Sequence, residues 1–177
     1  MSSRYADLLD AIASAAEKHR NQRRKDAQAS PYINHPLQVA HVLASEGGVF
    51  DLKTLIAAVL HDTVEDTETT FEELVERFGK KVACVVKEVT DEKMLPKVQR
   101  KREQVERAPQ LSKRAALVRL ADKTCNLRDV AAHPPKGWPL KRKQAYFDWA
   151  KDVVDGLPPG NRELRRAFDA ALTLRPS

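Results

Sequence analysis

The chain has 177 residues, a net charge of +6 and a sequence pI near 9.4, with 42% hydrophobic and 32% charged residues. That composition excludes a disordered tail and a membrane-embedded protein, and the length suits one globular unit rather than a multidomain machine. Two cysteines, Cys84 and Cys125, form neither a CxxC pair nor a disulfide framework. The opening Met-Ser-Ser-Arg-Tyr-Ala-Asp carries no apolar leader, and the longest purely apolar run, Leu55 to Leu60, is too short to span a bilayer. A cytoplasmic location and no membrane partner are expected.

The elements read as helices throughout. Tyr5, Leu8, Leu9, Ile12 and Ala16 recur at helix-face spacing. Pro36 suits a first helical turn, with Asn34 or His35 near the N-cap, and Gly47-Gly48 ends that segment. Asp51 caps the next helix, which carries the run Leu55–Leu60 and the polar helix formers after it. Thr70-Phe-Glu-Glu73 is a capping-box pattern, and Gly79 closes its helix. Val82, Val85, Val86 and Val89 are β-prone by type, but their spacing is helical. Pro96 opens a very charged helix through Arg107, followed by helices over Ala115 to Val130 and Leu140 to Val154. Gly156 to Gly160 breaks the last of these, and Leu164, Phe168 and Leu172 mark a short final helix. With no alternating strand and no internal repeat, the fold class is all-α.

The charges are distributed unevenly. Lys18, Arg20, Arg23, Arg24 and Lys25 form a basic cluster, whereas Asp62 to Glu76 is acidic without a base. A nucleic-acid binder gains little from such an acidic stretch, so nucleic acid is not the expected partner. A metal-dependent enzyme acting on a phosphate compound needs both regions.

Four residues stand out as chemistry: His35, the pair His61-Asp62, and Asp122. Two imidazoles and two carboxylates suit a divalent first-row metal, and the oxygen share favours Mn²⁺ over a closed structural Zn²⁺ site. Taken alone, they also fit a cap histidine, a core-edge histidine and an aspartate paired to Arg119 or Lys123. In a continuous helix, residues four apart lie roughly 40° apart around the axis, which stacks His61 with Glu65 and Asp62 with Asp66. Acidic groups crowded at the end of an apolar run are costly without a cation. Asp122, Asn126 and Asp129 share another helix face.

These residues match the H…HD…D pattern of the HD-domain metal-dependent phosphohydrolases. Arg24-Lys25, Pro31-Tyr-Ile-Asn-His-Pro36, Leu60-His-Asp-Thr-Val-Glu-Asp66, Leu120-Ala-Asp-Lys123 and Asn126-Leu-Arg128 occur in the order found in the hydrolase domain of the RelA/SpoT alarmone enzymes. The short chain resembles the stand-alone, Mesh1-type small alarmone hydrolases. The resemblance implies a single HD-type helical bundle of about eight to ten helices over 1–177, with its core near 20–150 and a C-terminal helix at 160–173. It implies Mn²⁺-dependent hydrolysis of (p)ppGpp at the 3′-diphosphate, with one ion per chain held by His35, His61, Asp62 and Asp122. Glu65 and Asp66 match the catalytic acidic pair. Arg24, Lys25, Asn126, Arg142 and Tyr146 are the implied substrate contacts. The alternative within this class is another nucleotide substrate, such as the 2′-phosphate of NADPH. The chain departs from the family pattern at Thr124-Cys125, positions expected to shape the base side of the pocket. A monomer or a homodimer is expected.

Overall fold

A computed structural model describes residues 4–177; residues 1–3 of the segment read as lacking a leader lie outside it. The helices are α1 (Arg4–Lys18), α2 (Asn34–Ser45), α3 (Leu52–Leu60), α4 (Thr63–Asp66), α5 (Phe71–Phe78) and α6 (Lys80–Val89). Then follow α7 (Lys97–Arg107), a 3-10 turn (Ala108–Gln110), α8 (Lys113–Ala132), α9 (Leu140–Asp155) and α10 (Arg162–Leu172). The fold is all-α, and the only β pairing among the described residues is an isolated bridge between Arg23 and Pro31. No helix of the described residues is long and apolar enough to cross a membrane.

Two helices organise the core. In α3 every side chain from Ile56 to Leu60 is buried, as expected of an apolar helix packed on α1, α2 and α6. The 20-residue α8 runs beside it and touches α2, α6, α9 and α10. It begins two residues before the expected Ala115, because the Ser112 side chain accepts from the Ala115 N–H and caps it. Asp51 and Thr70 cap α3 and α5 as the sequence indicates. Cys125 is buried, while Cys84 is only half-buried. At the other extreme, no residue of α7 is fully buried.

One element differs from its reading. The helix through Leu55–Leu60 does not continue to Asp66; it stops at Leu60, and a separate short helix holds Thr63–Asp66. The reason is local competition for the last carbonyls. The His61 ring donates Nδ1–H to the Ala58 carbonyl at 2.7 Å, and the Thr63 hydroxyl donates to the Leu60 carbonyl at 2.7 Å. Side chains thus take acceptors that backbone N–H groups would use in a continuous helix. His61 and Asp62 sit at this break.

Candidate active site

His35 comes from the first turn of α2, His61 and Asp62 from the α3–α4 break, and Asp122 from the middle of α8. The His35 Nε2 lies 3.1 Å from Asp122 Oδ1 and 3.9 Å from Asp62 Oδ2. The His61 Nε2 lies 3.2 Å from Asp62 Oδ2 and 3.8 Å from Asp122 Oδ1. His35, His61 and Asp62 offer donor atoms within 4.8 Å of one another, and Asp122 closes the set from the side of α8. His35, His61 and Asp122 are buried.

The donor set fits a divalent cation. Donation of Nδ1–H to Ala58 leaves His61 Nε2 as the group facing the carboxylates, and that buried nitrogen makes no hydrogen bond. A bare lone pair beside two carboxylate oxygens is repulsive unless positive charge stands among them. Burial disfavours a charged His61 ring, but Asp62 and Asp122 outweigh it and push its pKa up to about 10. Burial likewise opposes charge on Asp62, yet the two imidazoles hold it well below the usual range. Asp122 is also held low against burial, by the Lys123 ammonium 3.3 Å away and by both histidines. Lys123 and, at 4.0 Å, Arg119 do accompany Asp122, so it has cationic partners on its own helix beside the two histidines.

Glu65 and Asp66 leave the break on α4, where Asp66 lies one turn from Asp62 as expected: its N–H donates to the Asp62 carbonyl at 2.9 Å, and Tyr32 touches both carboxylates. Glu65 faces the α6–α7 connection, where its Oε2 accepts from the Asp91 N–H at 3.2 Å and its Oε1 lies 3.4 Å from Arg100. Burial, reinforced by the Asp91 charge, raises Glu65 to about 7. Asp66 pairs with Lys93 at 3.4 Å.

Beside this centre opens a cavity of about 430 Å³ whose wall includes Arg24, Lys25, Tyr32, His35, Asn126 and Tyr146. His35 therefore belongs to both the ligand cluster and the cavity wall. Asn126 lies one turn from Asp122 and donates to its Oδ1 at 2.6 Å. Arg24 is paired with Asp129. Arg142 stacks on Trp138, a further wall residue, with its guanidinium 4.4 Å from the ring centre. Tyr146 is half-buried between Trp138 and Trp149. Thr124 and Cys125 turn inward: both are buried, and neither lines the cavity. The departure from the family pattern thus falls on packing positions.

Sequence reasoning gave no role to Tyr32, Lys97 or Trp138, and it read Arg119 only as an ion-pair partner of Asp122. Tyr32 donates its hydroxyl to Asp62 Oδ2 at 2.7 Å and stands 3.4 Å from Asp66 Oδ2. Burial and these carboxylates raise its pKa far above the ordinary phenol value. Arg119 is buried, donates to the Val89 carbonyl at 2.8 Å, and lies between Asp91 and Asp122. It therefore ties the helix of Asp122 to the α6–α7 connection, whose Asp91 N–H bonds Glu65. Lys97 and Trp138 complete the basic, aromatic rim; burial, then Arg142, Lys25 and Arg100, lower the Lys97 pKa. Pro96 followed by Lys97, Arg100 and Lys101 at helical spacing was the one available signal.

Comparison with known proteins places this geometry in context. The sequence pattern of the HD domain matches residues 11–146. The chain is similar to the guanosine-3′,5′-bis(diphosphate) 3′-pyrophosphohydrolase MESH1 of Xenopus tropicalis, 55% identical over 169 residues that cover 96% of this chain and 94% of that protein. The human MESH1 is 54% identical over 168 residues, covering 95% and 94%. A solved structure, of a metazoan orthologue of SpoT that hydrolyses ppGpp and plays a role in starvation responses, superimposes with a TM-score of 0.93 at 45% identity, covering 99% of this chain and 97% of that one.

Proposed function

This chain belongs to the HD-domain family, among the MESH1 pyrophosphohydrolases, and from that premise we propose that it hydrolyses guanosine 3′,5′-bis(diphosphate) to GDP and pyrophosphate. Water adds to the phosphorus bonded to the ribose 3′-oxygen, that phosphorus–oxygen bond breaks, and the 3′-oxygen leaves with a proton. The observation that carries the reading is the double position of His35, at once in a buried cation-binding cluster and in the wall of a basic, aromatic cavity. A polyphosphate in that cavity reaches the cluster directly.

His35, His61, Asp62 and Asp122 would hold one Mn²⁺, for which two nitrogen and two oxygen donors are suited. A divalent ion bound there would lower the pKa of water and polarise the phosphorus–oxygen bond. The remaining work falls to the chain. Glu65, held near neutrality, accepts the proton of the attacking water. Asp66, set by Tyr32 and Lys93, stands next to it to assist the leaving oxygen. Lys25, Lys97 and Arg142 meet the phosphates, and Arg24 forks onto phosphate or covers the base. Asn126 spends its amide N–H₂ on Asp122 and presents its oxygen to a ribose hydroxyl, and Tyr146 supplies a second hydroxyl contact. We read residues 1–177 as one hydrolase domain, supported by the packing of α10 on α8.

The test is product analysis. Purified protein is incubated with Mn²⁺ and, separately, ppGpp or NADPH, and products are resolved by anion exchange. Pyrophosphate with GDP is expected. Orthophosphate from NADPH with no turnover of ppGpp would sink the proposal and transfer the site to a 2′-phosphatase.

A further inference from the structure

A second recess lies at the ends of α3 and α8 remote from His61 and Asp122. Two cavities of about 770 and 730 Å³ open side by side there and share Asp51, Lys113 and Leu117. Their volumes are those of ligand and peptide sites. Leu117, Leu120 and Val154 give the wall an apolar character. At the edge stands Phe50, 78% exposed and lining the same cavity, so that it extends the apolar wall to the surface.

The electrostatics of this groove are one-sided. Lys80, Lys81 and Lys113 are exposed, and their ammonium groups have no ion pair or acceptor among the described residues. The two carboxylates in the wall are already committed. Asp51 accepts from Arg114 at 2.8 Å and caps α3 through the Thr54 N–H at 3.1 Å, while Glu88 accepts from the Ser112 N–H at 2.7 Å. Four helices, α3, α6, α8 and α10, also start at this groove, since Asp51, Lys80, Lys113 and Asn161 line it. Helix N-termini carry partial positive charge, so the backbone adds to the field of the lysines. Nothing in the groove belongs to the hydrolytic centre.

We propose that this groove docks an acidic peptide segment of a partner protein, which seats an apolar side chain against Phe50 and Leu117 and sets its carboxylates on Lys80, Lys81 and Lys113. A small anion would use the lysines and leave Phe50 uncovered. A second copy of this chain is disfavoured by its own net charge of +6. An acidic segment with an apolar anchor satisfies both halves of the surface, and two cavities in line over a shared wall suit a short stretch of chain.

A display library of random dodecapeptides is selected on the full-length protein, and the enriched peptides are measured by fluorescence anisotropy. Enrichment of acidic sequences with a Phe, Trp or Leu anchor is expected. Binding should weaken with added salt, fall about tenfold or more in the K80E/K81E/K113E variant, and fall about threefold in Phe50→Ser. Both variants change exposed side chains, so ppGpp turnover and thermal unfolding should match the parent. Enrichment of neutral or basic peptides, or equal binding to the triple variant, would overturn the proposal. So would displacement of the peptides by ppGpp or by inorganic phosphate, or self-association that the same substitutions abolish.

Discussion

The buried imidazole–carboxylate centre and the basic mouth beside it solve opposite electrostatic problems. At the centre, opposite charges lie within 3–4 Å of one another, and burial is outweighed by partners: His61 rises to about 10 while Asp62 and Asp122 are held low. At the mouth, like charges crowd together. Burial, then Lys97, Lys123 and Arg142, bring Lys101 down to about 8. The centre draws positive charge onto its nitrogens and the mouth draws negative charge. A metal ion and a polyphosphate nucleotide answer those two demands side by side, which a protein surface of mixed charge would not require.

The sharpest way to break this comparison is at the centre. Asp62→Ala and Asp122→Ala should each cost about three orders of magnitude or more in turnover and abolish Mn²⁺ uptake measured calorimetrically. Full activity in either variant would refute the ligand assignment. Removal of metal with EDTA should inactivate the protein, and Mn²⁺ should restore it.

Glu65→Gln should lower kcat by about 10²–10⁴-fold, the usual range for a lost general base. In the parent the ionised form works, so kcat/KM should fall as pH drops below about 7. The stability effect has the opposite sign. The folded pKa is raised, so the contribution of Glu65 is full below its unfolded value and is lost as pH rises through about 7. In metal-free protein at pH 8, Glu65→Gln should therefore unfold at higher temperature, by about 1–3 kcal/mol of stability. A lower melting temperature would contradict the burial argument.

Beside the centre, Arg119 spans Asp122 and Asp91. Arg119→Met should lower kcat about tenfold with little change in KM, and cost about 3 kcal/mol by stranding Asp91 and Asp122. Arg119→Lys should restore part of kcat if the cation acts by positioning; equal losses in both would point to the guanidinium fork itself. The mouth should show the smallest effects. Arg142→Ala and Lys97→Ala should each raise KM about three- to tenfold and leave kcat nearly intact, because exposed charges contribute about 1 kcal/mol each. Added salt should imitate these variants in steady-state assays. A large fall in kcat instead would move these residues from the mouth into the chemistry.

The helices were largely legible in the sequence because a buried helical face leaves a 3.6-residue pattern, as in α3 and along Val82 to Val89. The metal-ligand candidates were legible for a related reason. His61-Asp62 follows six apolar residues, and charge in that position is conspicuous. The break after Leu60 was not legible, since it depends on which of several groups wins the Ala58 and Leu60 carbonyls. Tyr32 and Lys97 were hidden because a tyrosine in a turn and a lysine in a charged helix look ordinary wherever they occur.

By itself, then, the sequence determined an all-helical chain, an ordered set of family residues, and the opposition of an acidic stretch to a basic excess. These are properties of spacing and type, which need no third dimension. Only the tertiary structure decided that Asp122 meets His35 across 3.1 Å, that Arg119 links it to the α6–α7 connection, and that Thr124 and Cys125 face away from the cavity. Coulomb interaction and hydrogen bonding act over a few ångströms between groups tens of residues apart in the chain, and packing alone sets those distances.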